Sequence, residues 1–180
     1  KRNTQNCVLD NQYKTELSES QKERSENVMI VDLVRNDLSR VCKAGSVTVK
    51  ELCGIYTFPQ VFQMISTIQG ELPADIHWAD AIKVCFPMGS MTGAPKKRVM
   101  ELIDKYEEIG RGLFSGSIGY ITAQSDFDFN VIIRSIFYDE ENQKLSYAAG
   151  GGITFNSIAE NEYEESLLKA AAIKQVLENQ

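Results

Sequence analysis

The chain has 180 residues, 43% hydrophobic and 24% charged, the balance of a soluble domain able to bury a core of its own. Its net charge of −6 comes without any basic run, which argues against nucleic acid as the main partner, and no apolar run approaches bilayer length. Cys7, Cys42, Cys53 and Cys85 lack C-x-x-C spacing and His77 is the only histidine, which excludes a disulfide framework, a zinc cluster and a multi-histidine metal site, and counts against a serine-type triad. With no signal-peptide pattern, the expected location is the cytoplasm, with no membrane partner.

Residues 1 to 19 are polar, begin without Met and show no helix or strand start, so they are expected to be a loop or the stump of a longer chain. A helix is predicted from residue 20 to about 38, opened by a capping box of Ser20 and Glu23 and carrying Val28, Ile30, Val31, Leu33 and Val34 inside. Arg35-Asn36-Asp37 reads as its hydrogen-bonded end. Residues 45–53 alternate as a strand, and the β-branched residues of 66–70 suggest another. Residues 75–84 read as a short helix, and Pro95 as the first position of the next, with Val99, Leu102, Ile103 and Tyr106 at helical spacing. The intervening Ser90-Met91-Thr92-Gly93-Ala94-Pro95-Lys96 does not fit a Walker A loop. It is either an ordinary loop–helix junction or an anion site to which Ser90 or Thr92 donates a hydroxyl.

Residues 115–155 are predicted to form an antiparallel meander of three strands, 115–123, 129–138 and 145–155. Arg134 falls inside the apolar run of the second, where a bound carboxylate and an internal salt bridge are equally good answers to its charge. The meander closes on Gly150-Gly151-Gly152, where backbone can approach a ligand closely. Ser157 and Glu160 form a second capping box, and the helix they open places Glu162, Glu165, Lys169, Ile173 and Val176 on one stripe whose apolar end faces the core. The earlier helix repeats the pattern with Glu23, Glu26, Ile30, Val34 and Asp37. A solvated Glu/Lys face explains either helix alone. Two Glu-x-x-Glu pairs at the same end of two core-facing stripes suit Mg²⁺, a hard cation that keeps several waters and shares its remaining positions with an anionic ligand. Glu23 can be spent on the cap, which makes Glu26 the better ligand. Helices on both sides of mainly antiparallel strands imply an α+β fold.

Together these stretches resemble the chorismate-utilising enzymes, the family of the anthranilate, aminodeoxychorismate, isochorismate and salicylate synthases. The resemblance is carried by Glu26 to Asp37, the Ser90 to Lys96 segment, Gly116-Ser117-Ile118-Gly119-Tyr120, Ile132-Ile133-Arg134-Ser135, Ala149 to Ile153, and Glu162 to Lys169, in family order across nearly the whole chain. Ser90 to Lys96 is most similar to the aminodeoxychorismate-forming members, since anthranilate synthases more often have Ser where this chain has Thr92. The resemblance implies an α/β/β/α arrangement of two packed sheets covered by helices. It implies Mg²⁺ held by Glu26 and Glu165, with Glu23 and Glu162 close by. The ring carboxylate of chorismate would meet the metal, Lys169 and the backbone around Gly150 and Gly152. The enolpyruvyl carboxylate would meet Arg134 and Tyr120, and Ser90 and Thr92 would line the ring. The implied reaction makes 4-amino-4-deoxychorismate for folate synthesis from chorismate and ammonia, the ammonia coming from a glutamine amidotransferase subunit.

Two departures from the family pattern bear on catalysis. Where members usually carry a histidine near the ring, this chain has Gln63, which hydrogen-bonds but does no acid–base work at neutral pH. The Pro-Ile-Lys/Ala-Gly-Thr motif, whose lysine is the nucleophile proposed for aminodeoxychorismate synthases, is absent from these residues. Residues 1–180 are therefore expected to be the C-terminal portion of a single chorismate-binding catalytic domain, with that lysine upstream and Gln63 and Thr92 at the remaining catalytic positions. Two other readings stay open: an anthranilate synthase, which shares the metal site but eliminates pyruvate and aromatises the ring, and a non-catalytic binding module that keeps the fold.

Overall fold

Helix formation begins earlier than the polar N-terminus suggests. In a computed structural model, which describes residues 2–59, 61–155 and 157–178, the side chain of Asn6 accepts from the N–H groups of Val8 and Leu9 and starts α1 (Cys7–Glu19). An asparagine cap satisfies donors that would otherwise be orphaned, and tertiary contacts supply what an amphipathic pattern does not. Arg2 pairs with Asp10 at 2.7 Å, donates to the carbonyl of Phe58 at 3.2 Å and lies 5.3 Å from the ring centroid of Phe62. The expected loop at residues 1–19 is thus replaced by a docked helix.

The Arg2 hydrogen bond holds the Asp10 carboxyl below its ordinary value. A carboxylate whose folded-state pKa is depressed stabilises the fold above its unfolded value, near 4, and loses that contribution as pH falls through the lower folded value. Thermal melts between pH 6 and pH 2.5 are expected to show a steeper acid loss for the native protein than for Asp10→Asn. Parallel profiles would count against the pair.

The Ser20 hydroxyl accepts from the Glu23 N–H at 3.3 Å and opens α2 (Gln21–Ser39), as the capping box predicts. β1 (Thr48–Thr57) and β2 (Phe62–Gln69) pair antiparallel, Thr48 opposite Gln69 and Thr57 opposite Phe62. Register shifts interrupt the ladder between Glu51 and Gly54, and there Cys53 adopts φ +54° with its N–H on Ser66 Oγ at 2.8 Å. This is the geometry of a bulge. The Ser66 hydroxyl in turn bonds Asn27 of α2. Since alternate residues of a strand point to opposite faces, the face of Met64 and Ser66 meets α2 and that of Gln63 turns away. Val31, Val41, Cys53, Met64 and Ala81 form the buried core of this unit, which reaches Val99. α3 (Trp78–Cys85) starts later than its pattern suggests because His77 Nδ1 accepts from the Ala79 N–H and acts as the cap. A short 3₁₀ turn (Gly89–Met91) and α4 (Lys96–Tyr106) follow. Burial pushes the thiols of Cys42 and Cys85 above their usual value, and all four cysteines are free.

The second unit begins at Met100. β3 (Ser117–Ile121) pairs antiparallel with β4 (Phe127–Val131), and β5 (Ile136–Asp139) with β6 (Lys144–Tyr147). The predicted strand 129–138 therefore divides in two, and the meander becomes two separate ladders. Pairing continues just past β4, where Ile132 exchanges backbone bonds with Ser115 and Gly116. The Ile133 N–H then turns back to the carbonyl of Val131 at 3.0 Å and ends the strand. α5 (Ala159–Glu178) closes the unit. Of its expected core stripe, Val176 is 58% exposed. The α+β class holds, realised among the described residues as three two-stranded antiparallel ladders with helices. No helix of the described residues is long and apolar enough to cross a membrane.

Candidate functional site

The convergence of functional groups is densest where α5 meets the glycine run. Lys169 Nζ lies 2.8 Å from Glu165 Oε1 one turn away and donates to the carbonyl of Gly150 at 3.1 Å. Glu162 is 9% exposed, and its Oε1 accepts from the Ser157 hydroxyl at 2.7 Å. Ser157 Oγ accepts in turn from the Thr154 N–H at 2.9 Å, so a short relay fixes the carboxylate from the backbone. The expected capping box of Ser157 and Glu160 is corrected here. The helix begins at Ala159, and the Ser157 hydroxyl is spent on Glu162.

The glycines explain themselves in this setting. A Cβ on Gly151 would stand 3.1 Å from Glu162 Oε2 and 3.9 Å from Lys169 Nζ, whereas one on Gly150 or Gly152 would meet none of the described residues within 4 Å. Gly151 thus lies close against the protein's own carboxylate, and its neighbours border open space. Sequence reasoning chose Gly150 and Gly152 and missed Gly151 and Ser157. The relevant signal was the serine five residues before a core-facing glutamate.

The remaining residues of this unit are more open. Tyr120 is 63% exposed on β3, opposite Asp128. Arg134 is not on a central strand, contrary to expectation. It lies between β4 and β5, exposed, with φ +52°, because each half of the run pairs with a different partner. A non-glycine residue in the left-handed region is uncommon and costs energy. Among the described residues Arg134 has no carboxylate partner, which removes the internal salt bridge as the account of its charge.

The first unit holds the other candidates. Glu23 and Glu26 lie in the first two turns of α2, Glu23 exposed and Glu26 half-buried. Gln63 is exposed on β2, opposite Tyr56. Ser90 is exposed in the 3₁₀ turn, and Thr92 Oγ1 donates to the carbonyl of Met88 at 3.2 Å. With its proton so engaged, the Thr92 hydroxyl is left with acceptor lone pairs. Lys96 is not a free cation at the start of α4. Its Nζ sits 2.5 Å from Asp37 Oδ2, the carboxylate buried in α2. Arg35, Asn36 and Asp37 all hydrogen-bond at the end of α2, Arg35 to Asp32, Asn36 to Arg40, and the Asp37 carbonyl to the Arg40 N–H at 3.2 Å, while the Asp37 carboxylate turns to Lys96. Among the described residues no three His, Cys, Asp or Glu side chains converge as a metal-binding group. Glu162 and Glu165 supply two carboxylates in one unit and Glu23 and Glu26 two in the other.

A family model described as chorismate binding enzyme matches residues 2–175. The chain is 45% identical over 163 residues to a chloroplastic aminodeoxychorismate synthase of Arabidopsis thaliana, which covers 91% of this chain and 18% of that protein. It is 43% identical over 169 residues to aminodeoxychorismate synthase component 1 of Escherichia coli (strain K12), covering 94% of this chain and 37% of that protein. The crystal structure of anthranilate synthase component I from Streptococcus pneumoniae TIGR4 matches with a TM-score of 0.81 at 36% identity, over 91% of this chain and 37% of that one. The chain therefore spans well under half the length of each of these relatives.

Proposed function

The chain belongs to the chorismate binding enzymes, and from that premise we propose that its protein is component I of an aminodeoxychorismate synthase. In this reading it converts chorismate and ammonia to 4-amino-4-deoxychorismate for folate synthesis, with a glutamine amidotransferase subunit supplying the ammonia. The observation that carries it is identity of 43–45% over more than nine-tenths of the chain to proteins of that name. The protein's compartment in this reading is the cytoplasm. In this reading residues 1–180 are part of a single chorismate-binding catalytic domain, and the nucleophilic lysine of the family motif is not among them.

The roles follow from the chemistry of the groups. The donors around α5 and the glycine run are carboxylate and carbonyl oxygens, a hard set that fits Mg²⁺, and the space before Gly150 and Gly152 leaves room for an anion beside them. Glu162 and Glu165 would hold the ion, and Glu26 and Glu23 are the carboxylates that the family resemblance adds to them. Bound there, the ion would neutralise the ring carboxylate and favour loss of the 4-hydroxyl. Lys169 offers that carboxylate a second positive group. Arg134, exposed and without a carboxylate partner among the described residues, offers the enolpyruvyl carboxylate a bidentate fork, and Tyr120 offers it a hydroxyl. Ser90 lines the ring with Thr92, and Thr92, as an acceptor, orients a ring hydroxyl. Gln63 orients by hydrogen bonding and moves no proton.

Incubating the protein with chorismate, Mg²⁺ and an ammonium salt, and identifying the product by chromatography and mass, tests this assignment. 4-Amino-4-deoxychorismate is the expected product. Anthranilate would transfer the protein to the activity named for the Streptococcus relative, and unreacted chorismate would favour a binding module.

A further inference from the structure

The loop bearing Ser90 and Thr92 is fastened by contacts that the ring-lining roles do not use. α3 ends at Cys85 and α4 begins at Lys96. The Lys96 ammonium reaches Asp37 Oδ2 at 2.5 Å and the Cys85 carbonyl at 3.4 Å, so one group joins both ends of the loop and ties them to α2. The Asp37 side chain is 7% exposed and that of Lys96 19%. Midway along the loop, Gly89 is buried against α2, and a Cβ there would come within 3.0 Å of Leu33 Cδ1 and 3.1 Å of Leu33 Cβ. Inside the loop, Thr92 Oγ1 bonds the Met88 carbonyl.

We propose that Asp37 and Lys96 are positioning residues for the reaction: their ion pair clasps residues 86–95 shut and sets Ser90 and Thr92 on α2, the helix that also carries Glu26. The kinetic part of this proposal rests on the chorismate reading above. Stability alone is a weak reason for such a pair, because a buried ion pair exchanged for well-packed apolar residues is often neutral or stabilising, whereas removing one partner leaves a buried charge. What the pair supplies that an apolar contact does not is a directed bond to the Cys85 carbonyl, which fixes where the loop closes.

The test uses the double variant Asp37→Leu/Lys96→Met, which replaces the pair without stranding a charge. It is expected to melt within a few degrees of the native protein while kcat falls at least about 30-fold, since small misplacements of orienting groups carry penalties of that order, and KM changes less. Native kcat and KM in a folded double variant would reduce the pair to a structural contact and overturn the proposal. Amide hydrogen exchange across 86–95 is expected to accelerate about tenfold or more in the variant, with β1–β2 unchanged. Unaltered exchange overturns the clasp whatever the enzyme's substrate, so a failure of the chorismate reading stays distinguishable from a failure of this one. Should the double variant not fold, Gly89→Ala lifts the loop from Leu33 with the ion pair intact. A fall in kcat of about tenfold is then expected, and an unchanged kcat would overturn the proposal.

Discussion

Gly119→Ala is expected to lower the thermal midpoint by roughly 10 °C, from a loss of about 3 kcal/mol. Gly119 stands opposite Phe129 in the β3–β4 ladder, and a Cβ there would lie 2.0 Å from the carbonyl oxygen of Asp128 and 2.6 Å from Phe129 Cγ. Neither obstacle yields cheaply. The oxygen belongs to the paired backbone, and shifting it breaks the ladder that presents Tyr120 one residue on. Differential scanning calorimetry of the variant decides the matter, and a midpoint equal to the native one would mean that the strands do not approach so closely. The family motif Gly-Ser-Ile-Gly-Tyr thereby acquires a physical reading: its second glycine permits the ladder, and the ladder places the tyrosine.

Glu162→Gln is expected to weaken chorismate affinity in the presence of Mg²⁺ by about 10- to 100-fold, the usual range when a group that holds or orients a metal ligand is lost. Glutamine keeps the shape and can still accept from Ser157, so the fold should survive and the lost charge should account for the effect. Gly151→Ala is expected to produce a smaller loss, under about 10-fold, by pressing the same carboxylate from 3.1 Å. Gly152→Ala separates the two causes, because its methyl meets none of the described residues within 4 Å. Reduced affinity there with an unchanged melting temperature assigns the open space to the ligand. Calorimetric titration of the three variants checks the order, and full affinity in Glu162→Gln would remove Glu162 from the site.

Local chemistry made much of this legible in the sequence. Ser20 with Glu23 announced α2, the alternation of residues 45–53 announced β1, and the spacing of Val99 to Tyr106 announced α4. The errors arose where tertiary pairing overrode a continuous pattern. The run from Val131 to Phe137 reads as one apolar strand, yet its halves belong to different ladders, and Arg134 falls in the break. α1 was hidden because its stripe is weakly amphipathic and its docking depends on Arg2, Asp10 and Phe58, which lie far apart in sequence. The acidic stripe of α5 was readable from helical spacing, whereas its link to the glycine run through Lys169 and Gly150 came only with the family resemblance. The pair of Asp37 and Lys96 was not, since only folding joins residues so distant in the chain.

In the proposed function, the carboxylates and the glycine run bind chorismate's carboxylate end through a divalent cation. Titrating chorismate into the protein by calorimetry, once with Mg²⁺ and once with a chelator, tests it most directly. Affinity is expected to be at least about 10-fold tighter with Mg²⁺. Equal affinity under both conditions, or no binding under either, would contradict it.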